Sequence, residues 1–333
     1  MRSDSRPALF FRTAVAAVVF ALAAAIFGAY VRLSDAALGC PDGPACSARA
    51  AAPAAVRASF GPSASERAWK ETITRYIAGT LGLLLMRLAV LGWQLRRRSG
   101  QQVIIPAATL LLVLGLTVVG IATIDMQHKP LVMMIQFLGA ILVATLLWWV
   151  VLREQRLFRS VHPTPVARRL RWRALVALAV ALFATALGGW SMTNHAALAC
   201  PDFPTCQGEY LPPADYAEGM LRWAHEGFAY DRASLDLGAT TAIHVAHRAA
   251  ALIALLYVGW FALHLLRVGV QQNVCRYGLL LLLMLSFTLA FGVMEAVSGL
   301  SLTTAVAHSA VAVLLLLTLV TIYHVLRPPR NAK

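Results

Sequence analysis

The sequence contains few charged residues. Only 13% of its 333 residues are Asp, Glu, Lys or Arg, whereas a soluble protein carries about 25%. Apolar residues make up 59% of the chain and occur in runs long enough to cross a bilayer. The shortage of charge therefore excludes an ordinary soluble globular protein and predicts a polytopic membrane protein surrounded by lipid.

Acidic residues are scarcer than basic residues. There are 15 of them against 29 Lys and Arg, which gives a formal net charge of +14. In a soluble protein this excess would suggest a nucleic-acid partner. Here the basic residues lie in short loops between apolar runs, the positive-inside pattern of membrane proteins. We therefore predict no nucleic-acid partner.

Cysteine is also rare, with five residues in the chain. Four of them form two Cys-x5-Cys pairs, Cys40 with Cys46 and Cys200 with Cys206, a spacing that does not indicate zinc. Each pair encloses two prolines, which favour a tight turn, and lies in a loop that the charge distribution places outside, where disulfides persist. We predict one disulfide within each loop. The sequence leaves open whether these bonds only staple the loops or also take part in redox chemistry.

Eight apolar runs reach the length of about 20 residues that a membrane-spanning helix needs. The sequence thus predicts an all-α integral membrane fold with eight transmembrane helices. The predicted spans are Arg12–Val31, Glu71–Leu95, Val103–Ile124, Pro130–Leu152, Arg173–Thr193, Thr241–Leu266, Tyr277–Ser298 and Leu302–Val325.

The distribution of Lys and Arg between the loops predicts the orientation. Eighteen of these residues lie in the termini and the even-to-odd loops, against eight in the opposite loops. Both termini are therefore expected on the cytoplasmic side. Two opposite loops, Arg32–Lys70 and Asn194–Thr240, are too long to be simple connectors, and we expect them to cover part of the protein.

The chain contains an internal repeat. The first cysteine motif recurs at the second, Glu71–Arg75 aligns with His244–Arg248, and Gln136 aligns with His308. Repeats of this kind are common in polytopic membrane proteins. We predict two tandem four-helix bundles, in residues 1–160 and 161–333, related by an axis along the membrane normal.

Two histidines near the start of parallel spans suggest a cofactor site. His247 and His308 each lie about six residues after the start of their spans, or roughly 9 Å below the outer end. Two imidazoles at one depth can ligate a heme iron from both faces. We predict that His247 and His308 are the axial ligands of a heme. The alternative is a pair of polar residues that hydrogen-bond across helices.

Two neighbours of His247 are candidate cofactor contacts. Arg248 is suited to a heme propionate because a guanidinium binds a carboxylate through two hydrogen bonds. Its alternative role is to extend to the outer interface. His244 lies one turn from His247 and is predicted to support that histidine or contact a propionate. Interfacial placement alone would also account for His244.

The first half has different residues in the equivalent positions. Thr74 stands in the place of His247, Gln136 in that of His308, and Arg75 in that of Arg248. Glu71 lies three residues from Thr74, on the same helix face. We predict a cofactor-sized site formed by Thr74, Arg75 and Gln136. In that site Glu71 would accept protons or stabilise charge; alternatively, Glu71 is an acid favoured by the helix dipole.

The chain resembles the heme A synthase family over essentially its whole length. The segments that carry the resemblance are Tyr30–Asp35, Gly39–Asp42, Arg75–Leu84, Lys129–Val132, Ala199–Gly208 and Ile243–Arg248. The resemblance implies an eight-helix protein of the bacterial inner membrane. It would oxidise the C8 methyl group of heme O to a formyl group, producing heme A for cytochrome oxidase.

The resemblance also implies roles for individual residues and partners. The bis-histidine heme b of the family maps onto His247 and His308, and its catalytic glutamate maps onto Glu71. Heme O is the implied substrate, and heme O synthase and an electron donor of unspecified identity are implied partners. The sequence does not decide whether the protein forms a homo-oligomer.

The substrate half departs from the family pattern. The family has histidines where this chain has Thr74 and Gln136, and usually tryptophan in place of Gly43. Because Thr and Gln oxygens are poor iron ligands, three alternatives follow. The chain oxidises heme O with the iron held by another group, such as His128 or water; it is an impaired paralogue that binds heme b; or it handles heme during oxidase assembly. We favour the heme O-oxidising enzyme, with a heme b-binding or oxidase-assembly protein as the alternative.

Overall fold

The protein is almost entirely helical. Its computed structural model describes residues 5–37, 64–96, 103–122, 129–154, 164–230, 235–272, 274–299 and 301–327. The α-helices in these ranges are α1 (Arg6–Ala37), α2 (Ala64–Leu95), α3 (Ile104–Ala122), α4 (Pro130–Glu154), α5 (Pro165–Thr193), α6 (Tyr216–Glu226), α7 (Leu237–Gln272), α8 (Cys275–Val297) and α9 (Leu302–Val325). All except α6 are long and apolar enough to cross a membrane. The eight predicted spans are confirmed.

Several helices are longer than the apolar runs that predicted them. Helix α5 begins at Pro165 instead of Arg173. The Ala167 amide donates a hydrogen bond to Thr164 Oγ1 at 3.0 Å, and Pro165 occupies the first helical position, where no amide hydrogen is needed. Hydropathy marks only the part of a helix inside the membrane. Local capping and backbone hydrogen bonds decide where the helix ends.

Each half of the chain forms a ring of four helices. In the first half α1 contacts α2 and α4, and α3 contacts the same two helices. In the second half α5 contacts α7 and α9, and α8 contacts these two. Helices α2 and α4, like α7 and α9, therefore face each other diagonally across their rings. The order of contacts is the same in both halves, while the duplication itself stays a prediction.

Small residues allow the helices to approach closely. Lipid is as apolar as a leucine side chain, so helix association within a membrane depends on packing and on small residues at the contact. Helices α1 and α5 each bury a stripe of alanines about one turn apart: Ala14, Ala17 and Ala21 on α1, and Ala174, Ala177 and Ala181 on α5. These stripes belong to the apolar cores of the two halves.

The two halves pack against each other through α1, α4, α5 and α9. Trp148 Nε1 on α4 donates a hydrogen bond to Thr321 Oγ1 on α9 at 2.9 Å. Gly189 on α5 lies so close to Phe137 on α4 that an added Cβ atom would be 2.6 Å from the Phe137 ring. The glycine therefore permits the contact between the halves.

The second outer loop folds over the ends of α5 and α7. Trp190 Nε1 donates to the Gly219 carbonyl of α6 at 3.1 Å. Tyr230 stacks on Trp190 with ring centroids 5.7 Å apart and donates its hydroxyl to Asn194 Oδ1 at 2.6 Å. Most of the first outer loop, including the predicted Cys40–Cys46 disulfide, lies outside the described residues.

Candidate functional site

His247 and His308 lie on opposite helices of the ring in the second half. They lie on the diagonal helices α7 and α9, which are separated by α5 and α8. The two predicted ligands are thus carried by opposite helices of the same ring.

His308 is held by the backbone of α8. Its ring lies against Gly292, where an added Cβ atom would be 2.9 Å from the ring Cε1. Its Nδ1 is 2.9 Å from the carbonyl oxygen of Thr288. Since a carbonyl can only accept, Nδ1 carries the proton and Nε2 keeps its lone pair. Metal-ligating histidines are commonly oriented through the second ring nitrogen in this way.

The His247 ring packs in a similar way on Gly188 of α5. A glycine on which a histidine ring packs in this way is called a glycine seat below. An added Cβ atom at Gly188 would be 2.9 Å from the ring Cε1 of His247. Nδ1 of His247 is enclosed and does not reach hydrogen-bond geometry with any described residue. A buried polar atom without a partner costs free energy, so this ring is incompletely satisfied by the protein.

The two seats fit a heme with two imidazole ligands. A heme supplies four of the iron ligands itself, so two protein nitrogens complete the coordination. Across the described residues, no three or more His, Cys, Asp or Glu side chains gather into a group suited to a metal ion. The donor set and the two glycine seats therefore match a bis-histidine heme better than a cage of protein ligands.

His244 is buried next to this pair. Its side chain is 9% exposed, and its ring centroid is 6.4 Å from that of His247. Its Nδ1 lies 3.4 Å from Ser191 Oγ on α5. Interfacial placement alone does not describe a histidine enclosed in this way. Its predicted contact with a propionate stays a prediction.

Arg248 binds the outer loop in this structure. Its guanidinium donates hydrogen bonds to the carbonyl oxygens of Thr205 at 2.7 Å, Asp202 at 2.8 Å and Cys200 at 3.4 Å. It also lies over the Phe203 ring, 5.6 Å from the centroid. The arginine therefore fixes the loop above the histidines, and its predicted contact with a propionate stays a prediction.

The predicted Cys200–Cys206 disulfide is present. Inside this loop Asp202 accepts hydrogen bonds from the Thr205 hydroxyl and from the amides of Gln207 and Gly208. The Thr205 hydroxyl, followed by these amides, lowers the pKa of the Asp202 carboxyl below its ordinary value. The loop is thus closed by a covalent bond, by the Asp202 carboxylate and by Arg248.

The first half places its candidate residues differently. Glu71 and Arg75 form an ion pair at 3.0 Å, with side chains 60% and 75% exposed. The Thr74 hydroxyl donates to the carbonyl of Lys70, one turn earlier on α2, at 2.8 Å. Glu71, Thr74 and Arg75 therefore lie on an exposed part of α2. The Thr74 hydroxyl is directed to its own helix, so it is not arranged as an iron ligand.

Gln136 occupies a position like that of His308. It lies opposite Gly120 on α3, where an added Cβ atom would be 3.5 Å from Gln136 Nε2. Gly120 precedes Gly292 by 172 residues, the same spacing that separates Gln136 from His308. The glycine seat thus recurs in the first half, although the side chain that faces it is an amide.

Sequence reasoning missed the glycines that seat the histidines. Gly188 and Gly292 carry no chemistry of their own, so a search for ligands does not find them. The repeat contained a signal, because Gly28 precedes Gly188 by 160 residues and Gly120 precedes Gly292 by 172. These are the same offsets that relate the cysteine motifs and the Gln136–His308 pair.

The fold and the site define a multi-pass helical membrane protein with two glycine-packed histidines on opposite helices of its second bundle. A family model described as cytochrome oxidase assembly protein matches residues 11–320. The chain belongs to this family. It is 35% identical to a heme A synthase of Shewanella oneidensis over 317 residues, 93% of this chain and 94% of the relative. It is 22% identical to a heme A synthase of Lysinibacillus sphaericus over 305 residues, 89% and 88% of the two chains.

Proposed function

We propose that this protein oxidises heme O to heme A by converting the C8 methyl group of the porphyrin to a formyl group. The observation that carries the proposal is the pair of glycine-seated histidines, His247 and His308, on opposite helices of the second bundle. The proposal is supported by similarity along most of the chain to relatives named heme A synthase.

In this proposal residues 161–333 hold heme b. His247 and His308 would bind its iron through Nε2, and heme b would supply electron transfer to or from the substrate half. The Thr288 carbonyl fixes the tautomer of His308 through Nδ1. Arg248 and the Cys200–Cys206 loop cover the outer side of the pair and limit the access of water.

Residues 1–160 would bind the substrate, heme O. Thr74 and Gln136 do not supply two nitrogen ligands to its iron, so the substrate must be held mainly by contacts with its porphyrin. Glu71 is the candidate group for handling protons or stabilising a cationic intermediate during this oxidation. Its ion pair with Arg75 is exposed, and such a pair is weak enough to exchange partners when a substrate arrives.

We also propose a bacterial inner-membrane location with both termini in the cytoplasm. The distribution of Lys and Arg supports this orientation. It places the Cys200–Cys206 disulfide outside the cytoplasm, in an oxidising compartment. Heme O synthase, which would supply the substrate, and a membrane electron donor are the implied partners.

The activity is tested by extracting the hemes from protein purified after expression with a supply of heme O. We expect heme A together with heme b. Heme b alone, at one per chain, would contradict the enzymatic proposal and indicate a heme-binding or oxidase-assembly protein.

The cofactor site is tested in the same preparation. His247→Ala and His308→Ala are each expected to abolish the low-spin bis-histidine spectrum, because each removes one axial ligand. His225→Ala is the matched control, since His225 is exposed on α6 and its loss should leave the spectrum unchanged. A wild-type spectrum in both ligand variants would refute the assignment.

A further inference from the structure

Arg173, Trp260 and His264 form a cluster between α5 and α7, called the Arg173 cluster below. It lies on the inner side of the protein, where α5 begins and α7 ends. Arg173 Nη1 is 2.6 Å from His264 Nε2, and an arginine has no acceptor atom, so the guanidinium donates this hydrogen bond. The His264 ring stacks on Trp260 with centroids 5.6 Å apart, and the guanidinium carbon is 5.2 Å from the Trp260 ring. Two contacts with α7 therefore fix the position of this guanidinium.

The Arg173 cluster faces lipid at the level of the membrane interface. The apolar runs that predict the spans Arg173–Thr193 and Thr241–Leu266 end at this level. Trp260 is 46% exposed, and Trp172, which precedes Arg173, is 62% exposed. Tryptophan is enriched at the depth of the lipid headgroups, because its ring is apolar and its N–H group is polar. The cluster therefore lies at the depth of phospholipid phosphates.

Two further arginines lie beside the cluster along the helices. Arg169 is one turn before Arg173 on α5. Trp260, His264 and Arg267 follow one another at spacings of four and three residues, which places them on one face of α7. Arg169 and Arg267 are exposed. Like charges one turn apart on a helix repel each other, so an anion bound at this face would relieve the repulsion.

The protein has few acidic residues on the inner side that could balance these charges. Its inner termini and loops contain Asp4 and Glu154 as their only acids, against eighteen Lys and Arg. Glu154 lines a cavity with Arg12 at the inner ends of α4 and α1. Asp4 precedes α1, which packs on α2, α4 and α9, and lies outside the described residues. The described ion pairs do not include Arg173. We therefore expect the counter-anion of the cluster to come from outside the chain.

The equivalent positions in the first half carry other residues. At the offset of 160 residues Arg173 corresponds to Thr13, and at the offset of 173 residues His264 corresponds to Leu91. Thr13 is buried and donates its hydroxyl to the Leu9 carbonyl of its own helix at 2.8 Å. Leu91 belongs to the apolar core of the first half. A four-helix ring of this kind therefore does not require the Arg173 cluster.

We propose that the Arg173 cluster binds the phosphate group of an anionic phospholipid in the leaflet on the inner side. The guanidinium uses one of its five N–H donors on His264 and can donate others to phosphate oxygens in the geometry that arginine favours. Because His264 and Trp260 already hold the side chain, binding orders it little further.

The surroundings of the cluster favour a lipid over a soluble anion. Val176 and Leu256, one turn deeper in the membrane than Arg173 and Trp260, are exposed and offer an apolar surface to acyl chains. Arg169 and Arg267 would add electrostatic attraction to the headgroup. This inference goes beyond the proposed reaction and does not depend on it.

Native mass spectrometry of the full-length protein in detergent tests the proposal. Delipidated protein is titrated with dioleoyl phosphatidylglycerol and, separately, with dioleoyl phosphatidylcholine, which has the same acyl chains but no net charge. We expect the wild type to bind one phosphatidylglycerol about tenfold more tightly than phosphatidylcholine, the effect of one charge-assisted hydrogen bond. An excess of inorganic phosphate should not displace the bound phosphatidylglycerol, because phosphate has no acyl chains.

Arg173→Gln should abolish the preference for phosphatidylglycerol and leave the heme content of the preparation unchanged. Arg173→Lys keeps the charge but not the planar fork, so we expect it to retain part of the preference. Arg96→Gln is the matched control. Arg96 is exposed at the inner end of α2 and lies 3.7 Å from the centroid of the Trp93 ring on the same helix. Its replacement removes the same charge from the same side of the protein and should leave the preference intact.

Equal affinities of the wild type for the two lipids would overturn the proposal, and so would an Arg173→Gln protein that keeps the full preference. An equal loss in Arg96→Gln would show that general positive charge, and not this cluster, attracts the lipid. Displacement of phosphatidylglycerol by inorganic phosphate would assign the cluster to a soluble anion and overturn the lipid assignment. If Arg173→Gln does not fold, Arg173→Lys and Arg267→Gln decide the matter, and the latter should lower the preference about fivefold.

Discussion

At the scale of single residues, the candidate heme site depends on two glycines as much as on two histidines. A methyl group on Gly188 or Gly292 would occupy space that the imidazoles now fill, at 2.9 Å from a ring carbon in each case. Real Cβ atoms do not approach that closely, so one group would have to move. The two histidines could be singled out from their depth on parallel helices, and their role as ligands stays a prediction. Their seats could not be predicted, because a glycine is recognised as a seat only when its neighbour across the bundle is known.

Gly292→Ala is expected to displace the ring of His308 and lower the heme b content of the purified protein. The ring is also held by the hydrogen bond from Nδ1 to the Thr288 carbonyl of the same helix, so a shift away from position 292 would strain that bond. The measurement is heme stoichiometry and the low-spin absorbance. Gly259→Ala is the matched control, since its Cβ atom would have an ordinary contact of 3.5 Å with Leu285. Full heme content in Gly292→Ala would show that the seat is not required.

At the scale of structural elements, the loop between α5 and α6 is a closed unit. The disulfide joins Cys200 and Cys206, Asp202 accepts the hydrogen bonds of the loop, and Arg248 ties the loop to α7. The cysteine spacing predicted the disulfide. It did not predict that Arg248 would bind loop carbonyls, because three backbone oxygens converge on the guanidinium only in the folded loop.

The loop of the Asp202→Asn variant should open more readily than the wild-type loop at neutral pH. The asparagine has one acceptor oxygen where the carboxylate has two, and it carries no charge. We expect a phosphine reductant to reduce the Cys200–Cys206 bond about tenfold faster, the effect of losing one charge-assisted hydrogen bond. Glu209→Gln is the control, because the exposed Glu209 side chain makes none of these bonds. Equal rates in wild type and Asp202→Asn at pH 7 would contradict the role of the carboxylate.

The pH dependence of the same rate follows from the lowered pKa of Asp202. A carboxyl whose pKa falls on folding stabilises the loop above its ordinary value of 3.8. That stabilisation is lost as the pH falls through the lower folded value. The wild-type loop should therefore show no Asp202-dependent opening between pH 7 and pH 5 and should open only in stronger acid. The Asp202→Asn loop should lack this acid transition.

At the scale of the whole molecule, the two rings of helices meet along α1, α4, α5 and α9. Adjacent glycines on α5 serve both rings, since Gly188 faces His247 in the second bundle and Gly189 faces Phe137 in the first. The Phe137 ring also lies 5.7 Å from the guanidinium carbon of Arg32. The candidate heme b site and the contact between the halves are therefore neighbours in one packed region.

Gly189→Ala should destabilise the contact between the halves. The added Cβ atom would be 2.6 Å from the Phe137 ring, and overpacking of this kind costs roughly 1–3 kcal/mol. The measurement is the midpoint of thermal unfolding in detergent, which we expect to fall. Gly115→Ala is the matched control, because no atom lies within 4 Å of its added Cβ and alanine is the better helix former. Equal midpoints for both variants would show that the contact tolerates the extra atom.

The sequence by itself determined the eight spans, the Cys200–Cys206 disulfide and the resemblance to a family. Each of these depends on local information, namely the length of an apolar run, the spacing of two cysteines or a short motif. Only the tertiary structure decided that α7 and α9 lie diagonally, that glycines seat the two histidines, and that Arg248 binds the carbonyl oxygens of the Cys200–Cys206 loop. These features depend on which helix faces which, and side-chain contacts between distant segments exist only after the helices have packed.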